Sequence, residues 1–207
     1  MLSRYPFYAA GLGAFILLTF TIVGGAVFPQ YSHASQFISE LGARDAPHEY
    51  LVRFAGFLPV GILSCIYLLG AYTRLPRSTL TTLGLLGIFV FALGYLAAAI
   101  FPCDPGCRPA EPSLSQGLHN LIGSAGYILS PGFLFLFGLA SRRWPNQRHL
   151  PKIAFGCAAA TTLGLLTFNP ESPWVGISQR LIETAVWIWI ILSAAYLNST
   201  QPEQGSR

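Results

Sequence analysis

Six stretches of the chain are predominantly apolar over about 20 residues, the length that crosses a hydrocarbon core about 30 Å thick at about 1.5 Å per residue. They run approximately from Tyr5 to Phe28, Leu51 to Tyr72, Thr79 to Phe101, Leu118 to Ala140, Ile153 to Phe168 and Ile177 to Leu197. The fifth is short for a span. Pro59 and Pro131 fall inside the second and fourth, where a missing backbone donor predicts a kink. The first stretch is too long for the apolar region of a signal peptide, and no small-residue cleavage site follows it before Pro29, so it reads as a helix.

Between the spans the pattern changes once. In the connection from Gln30 to Tyr50, the apolar residues Ala34, Phe37, Ile38 and Leu41 recur at helical spacing with polar residues between them, up to Gly42. That predicts a short interfacial helix, stopped by the glycine and positioned as a lid. The reading is therefore an all-α, polytopic transmembrane bundle of six helices forming one domain over 1–207, with a disordered tail at 198–207. Composition agrees: of 207 residues 53% are hydrophobic and 10% charged, against about 25% charged in typical soluble proteins. A soluble enzyme, a disordered linker and a collagen-like rod are excluded.

The few charges encode orientation. Arg4, Arg74, Arg77, Arg142, Arg143, Arg148 and Lys152 fall before the first span or in the second and fourth connections. By the positive-inside rule those segments are cytoplasmic, which predicts both termini inside. No basic run is long enough for nucleic acid. The remaining connections then face outward, and one of them contains Cys103-Asp104-Pro105-Gly106-Cys107. A turn there can bring the two cysteines together on the oxidising side, so a Cys103–Cys107 disulfide is expected, with free thiols or a metal pair as the alternatives. Cys65 and Cys157 lie inside spans and read as small buried hydrophobes.

The string Thr-Thr-Leu-Gly-Leu-Leu occurs at 81–86 and again at 161–166. It suggests either an internal repeat or the coincidence of common membrane residues. Glycines at 84, 87, 94, 123 and 126 make small faces on the third and fourth helices that suit close packing. Trp174 and Trp144 are candidate interface anchors, whereas Trp187 and Trp189 lie deeper, facing lipid or a neighbouring helix.

Candidate chemistry gathers on the predicted outer side, at Glu40, Arg53, Asp104, His119, Asn120, Gln179, Arg180 and Glu183. Glu183 lies two turns into the sixth span, roughly 9 Å deep, and such residues usually face the bundle interior with a partner. Gln179 and Arg180 share its face; an intrahelical Arg180–Glu183 pair is the structural alternative. His119 opens the fourth span, and imidazole with a carboxylate is the minimum for acid–base work, with Glu40 or Asp104 orienting the ring. His33 adds a possible metal donor, but no paired-histidine metal motif is present, and no second histidine lies inside a span to hold haem. Ser35, Ser39 and Ser124 lack any nucleophile signature, and there is no phosphate or dinucleotide loop. No metal and no cofactor is expected.

The combination Ile38-Ser39-Glu40-Leu41-Gly42, Phe101-Pro102-Cys103-Asp104, Gly117-Leu118-His119 and Gln179-Arg180 resembles the prokaryotic integral-membrane family known only as domain of unknown function nine-nine-eight. The resemblance covers nearly the whole chain and carries no established activity. It implies that a shared site lies at Ser39, Glu40, Asp104, His119 and Arg180. The expected protein is thus a multi-pass component of a bacterial or archaeal plasma (inner) membrane. Its outward polar site acts on or binds a lipid or lipid-linked substrate: His119, Glu40 and Asp104 are the candidate catalytic groups, and Arg180, Ser39 and Glu183 hold the substrate. The alternative is a non-catalytic small transporter or accessory subunit. Membrane lipids are the expected partners, and nothing in the sequence points to a particular protein partner.

Overall fold

The computed structural model describes residues 4–199, and its secondary structure is helical throughout. Six helices follow one another: α1 Tyr5–Val27, α2 Glu49–Arg74, α3 Thr79–Ile100, α4 Leu114–Ser141, α5 Leu150–Leu166 and α6 Val175–Ser199. All but α5 are long and apolar enough to cross a membrane. With 17 residues, α5 reaches only about 26 Å at 1.5 Å per residue; it is short, as expected, and falls outside the five candidate spans. From residue 200 onward the predicted tail lies outside the described residues, while Asn198 and Ser199 still belong to α6.

Each helix packs on its neighbours in sequence, and a looser α1–α6 contact closes the ring. The most buried helix is α6, which also touches α2 and α4. On α1 the opposite holds: Tyr8, Leu12, Phe15, Leu18 and Ile22 face outward at helical spacing, while Ala9, Gly13, Leu17 and Thr21 face in. An apolar outer face of this kind is what a lipid-facing helix presents.

Both prolines are accommodated locally. Ahead of Pro59, residues Val52–Phe57 widen into a π turn in which the Leu58 amide bonds the Arg53 carbonyl. Proline has no N–H for the carbonyl four residues back and its ring crowds that carbonyl, so a wider turn relieves both problems. Arg53 then donates Nε to the Ala99 carbonyl at 2.9 Å and also pairs with Glu49. A cation thus sits on the C-terminal carbonyls of α3, the favourable end for it. Pro131 leaves the Tyr127 carbonyl without its usual donor, and the Ser130 hydroxyl supplies one at 2.7 Å.

Several expectations are revised in detail. The short helix of the first connection is a five-residue 3-10 turn, Ile38–Gly42, and the groups just before it are partly taken up by α6, where Gln179 accepts from the Ile38 amide and Arg180 donates to the Gln36 carbonyl. The two Thr-Thr-Leu-Gly-Leu-Leu strings occupy non-equivalent positions: Thr81 lies in the first turn of α3, Thr161 near the end of α5. They do not mark an internal symmetry. Trp144, expected as an interface anchor, is only 4% exposed and packs on Trp189, Phe137 and Tyr196. Trp187 and Trp189 are buried against neighbouring helices rather than facing lipid.

Candidate functional site

Three connections meet at one end of the bundle. The Arg44 amide donates to the Cys103 carbonyl at 2.9 Å, and the Ile177 amide at the start of α6 donates to Ala34 at 3.2 Å. Cys103 and Cys107 form the expected disulfide, with Cα atoms 5.0 Å apart. Gly106, at φ +71°, supplies the left-handed turn between them.

The carboxylates of this end hold the connections in shape. Glu40 accepts from the Phe37 amide at 2.9 Å and from Gln36 Nε2 at 2.8 Å, and Arg108 lies 3.5 Å away. Asp104 accepts from the Ser113 amide at 2.9 Å and the Ser113 hydroxyl at 2.7 Å, with Arg44 at 3.3 Å. Those two hydrogen bonds, and secondarily Arg44, hold its carboxyl below the usual carboxylate range. Neither group orients His119, contrary to expectation, because the turns that they close take up both carboxylates. The ring is held instead by the Phe101 carbonyl, 2.9 Å from Nδ1. A carbonyl only accepts, so Nδ1 carries the proton and, in the neutral ring, Nε2 keeps its lone pair.

One turn of α6 organises the rest. Gln179 Oε1 accepts from the Ile38 amide at 2.6 Å, and its Nε2 donates to the Tyr127 hydroxyl at 2.9 Å. Arg180 donates to the Gln36 and Gly176 carbonyls at 3.0 Å each, to the Tyr31 hydroxyl at 2.8 Å and to His33 Nδ1 at 3.0 Å. Gly176 permits this, since a Cβ there would lie 2.5 Å from both the Gln36 and His33 carbonyl oxygens. Burial pushes Tyr31 up to about 12, partly offset by Arg180. Burial and then the neighbouring guanidinium lower His33, keeping its ring neutral. Arg180 forms no ion pair among the described residues, and its buried Nε has no hydrogen-bond partner. The intrahelical pairing with Glu183 is therefore not formed.

Glu183 is 7% exposed. The Tyr95 hydroxyl donates to Oε2, and the Tyr127 hydroxyl donates to Oε1 at 2.6 Å. Behind them stand Trp187 Nε1, 2.7 Å from the Tyr95 oxygen, and Gln179 Nε2 on Tyr127. An indole N–H and an amide NH2 can only donate, so each tyrosine accepts from behind and donates forward to Glu183.

Two cavities share Glu183 and Ile38 as wall residues. A chamber of about 120 Å³ between α3, α4 and α6 is lined by Ser39, His119, Gln179, Glu183 and a series of aromatic rings. A groove of about 440 Å³ between α1 and α6 is lined by Leu18, Thr21 and Ile22 on one side and Trp187, Ile188 and Ile191 on the other. His33 and Arg180 stand at its disulfide end. Of the six expected site residues, Ser39, His119 and Glu183 share the chamber and Glu183 and Arg180 share the groove, while Glu40 and Asp104 line neither.

Residues 11–196 match the family described as a protein of unknown function, DUF998. The chain belongs to the DUF998 family. No curated protein and no solved structure matches it. In this DUF998 chain the motif residues fall into two groups. Ser39, Glu40 and Asp104 lie on the connections, while His119 and Arg180 come from helices facing the two cavities. Sequence reasoning missed Tyr95, Tyr127, Trp187 and Tyr31. The available signal was a pair of tyrosines deep in apolar spans, whose hydroxyls require partners that lipid cannot supply.

Proposed function

We propose that this protein binds an anionic lipid or lipid-linked molecule from the outer leaflet of a plasma (inner) membrane, with both termini cytoplasmic. The groove between α1 and α6 carries this reading: apolar walls of acyl-chain character end at a guanidinium that, among the described residues, forms no ion pair, although Glu183 lines the same groove. Gln36, Gly176, Tyr31 and His33 take the four terminal N–H groups of Arg180 and fix the guanidinium, so a phosphate or carboxylate head group is drawn by its positive charge and by the one unpaired N–H, on Nε. The orientation rests on seven basic residues at the α2–α3 and α4–α5 end and the disulfide at the other.

Native mass spectrometry of the purified protein tests the reading. The wild type retains a phospholipid through mild delipidation. Leu18→Trp fills the groove without touching Arg180 and loses it, as does Arg180→Gln. Equal retention in all three proteins sinks the proposal.

A second reading, chemical conversion of the bound lipid, is favoured by the unprotonated Nε2 of His119 at the chamber wall. Comparing lipid composition in cells lacking the protein, or carrying a folded His119→Ala variant, separates it from binding alone. An unchanged composition leaves only the binding function.

A further inference from the structure

The chamber beside Glu183 has a chemistry of its own. Five rings line it in one unbroken arc, Phe37, Phe168, Tyr127, Phe91 and Tyr95. Successive ring centroids are 5.7, 5.9, 6.0 and 5.6 Å apart. The arc holds one carboxylate, Glu183. The orientation of its hydrogen bonds is fixed from behind, because Trp187 Nε1 and Gln179 Nε2 can only donate. Both carboxylate oxygens therefore accept from tyrosine hydroxyls, the arrangement that suits an acceptor-only carboxylate. Yet no Lys or Arg lines the chamber, and Glu183 belongs to no ion pair among the described residues; Arg180 acts on it only at longer range, from the groove side that both line. A buried carboxylate inside a span calls for a counter-charge.

We infer that the chamber is a receptor for an organic ammonium group, quaternary or primary, held by the Glu183 carboxylate and the surrounding rings. Aromatic faces attract cations electrostatically, and desolvated rings around a quaternary ammonium are an established use of that attraction. Size agrees: about 120 Å³ is comparable with the roughly 150 Å³ cavity that admits benzene. His119 Nε2, free to accept, gives a primary ammonium a hydrogen-bond partner that a quaternary one does not need. The ammonium comes either from a zwitterionic lipid head group or from a soluble amine. The inference stands on a different cavity from the lipid groove and does not depend on the groove being occupied.

The test compares choline with its neutral isostere, in which a tert-butyl group replaces trimethylammonium, by calorimetric titration of the purified wild-type protein. Shape and apolar area are matched, so any difference reads the charge. Choline is expected to bind about 30-fold more tightly, the factor given by a desolvated cation–π contact. Glu183→Gln abolishes that preference, and Thr73→Ala, at the opposite end of α2 from the chamber, leaves it intact. In nanodiscs, selective retention of phosphatidylcholine over phosphatidylglycerol identifies a lipid as the source, even if free choline does not bind. Binding of free choline without lipid selectivity identifies a soluble amine. The inference is overturned if the isostere binds as well as choline, or if neither choline nor the zwitterionic lipid is recognised. Both results come from the wild-type protein, so they hold even if Glu183→Gln fails to fold.

Discussion

Tyr95→Phe removes one oxygen atom and breaks two hydrogen bonds, one donated to the Glu183 carboxylate and one accepted from Trp187 Nε1 at 2.7 Å. A hydrogen bond to a charged group contributes about 1.5 to 3 kcal/mol, and an orphaned buried donor costs about 1 to 3 kcal/mol. Water entering the adjoining chamber of about 120 Å³ can replace part of this, since such a space holds several molecules. The expected net loss is therefore about 2 to 4 kcal/mol. Tyr67→Phe is the control: its fully buried hydroxyl meets only the neutral Ser193 hydroxyl at 2.6 Å, and its loss should cost about 1 kcal/mol. The assay is reversible unfolding in mixed micelles, followed by tryptophan fluorescence. A cycle with Glu183→Leu should show coupling, because once the carboxylate is gone Tyr95 has no charge to stabilise. Equal costs for Tyr95→Phe and Tyr67→Phe, together with additivity in the cycle, would refute the tyrosine–carboxylate network.

Gly176→Ala drives a Cβ to within 2.5 Å of two backbone carbonyl oxygens, which should cost about 1 to 3 kcal/mol and free the first connection to limited proteolysis; Gly11→Ala, with nothing within 4 Å, should do neither. Acid should loosen the connections at the disulfide end in two stages. His33 and Asp104 both have folded pKa values lowered below their unfolded ones, so each stabilises above its unfolded pKa. That stability falls first as the pH drops from about 6.5 for His33, then from about 3.8 for Asp104. Hydrogen exchange against pH reads the first stage in residues 31–42 and the second at the Ser113 amide that Asp104 holds, and His33→Gln removes the first. Reducing the Cys103–Cys107 bridge should cost roughly 2 kcal/mol by the entropy of so short a loop. A membrane-impermeant thiol reagent added to intact cells should then label Cys107, the half-buried partner of the fully buried Cys103, but not a cysteine placed at Gln147; the reverse pattern would invert the proposed orientation.

The spans were legible because lipid leaves the backbone no partner outside its own helix, so about 20 apolar residues carry the whole signal. The Cys103–Cys107 bridge was legible too, since an Asp-Pro-Gly segment between two cysteines is a local matter. What failed was pairing across connections. Glu40 and Asp104 share one end of the bundle with His119, and sequence proximity made them natural partners for the ring. Local turns claimed both: the Phe37 amide holds Glu40, and Ser113 holds Asp104. The Phe101 carbonyl took their place, and a backbone partner leaves no compositional trace. Tyr95 and Tyr127 escaped notice for a related reason. Within an apolar run tyrosine resembles another aromatic, and only the fold brings residues from α3 and α4 to Glu183 on α6.

The central claim is that the bundle's disulfide end holds an amphiphile against Arg180. An experimental structure in nanodiscs of native lipid tests it most directly. Elongated density is expected in the α1–α6 groove, with an anionic group within hydrogen-bond reach of the Arg180 guanidinium. A groove without density, or an Arg180 turned inward to pair with Glu183, would contradict it.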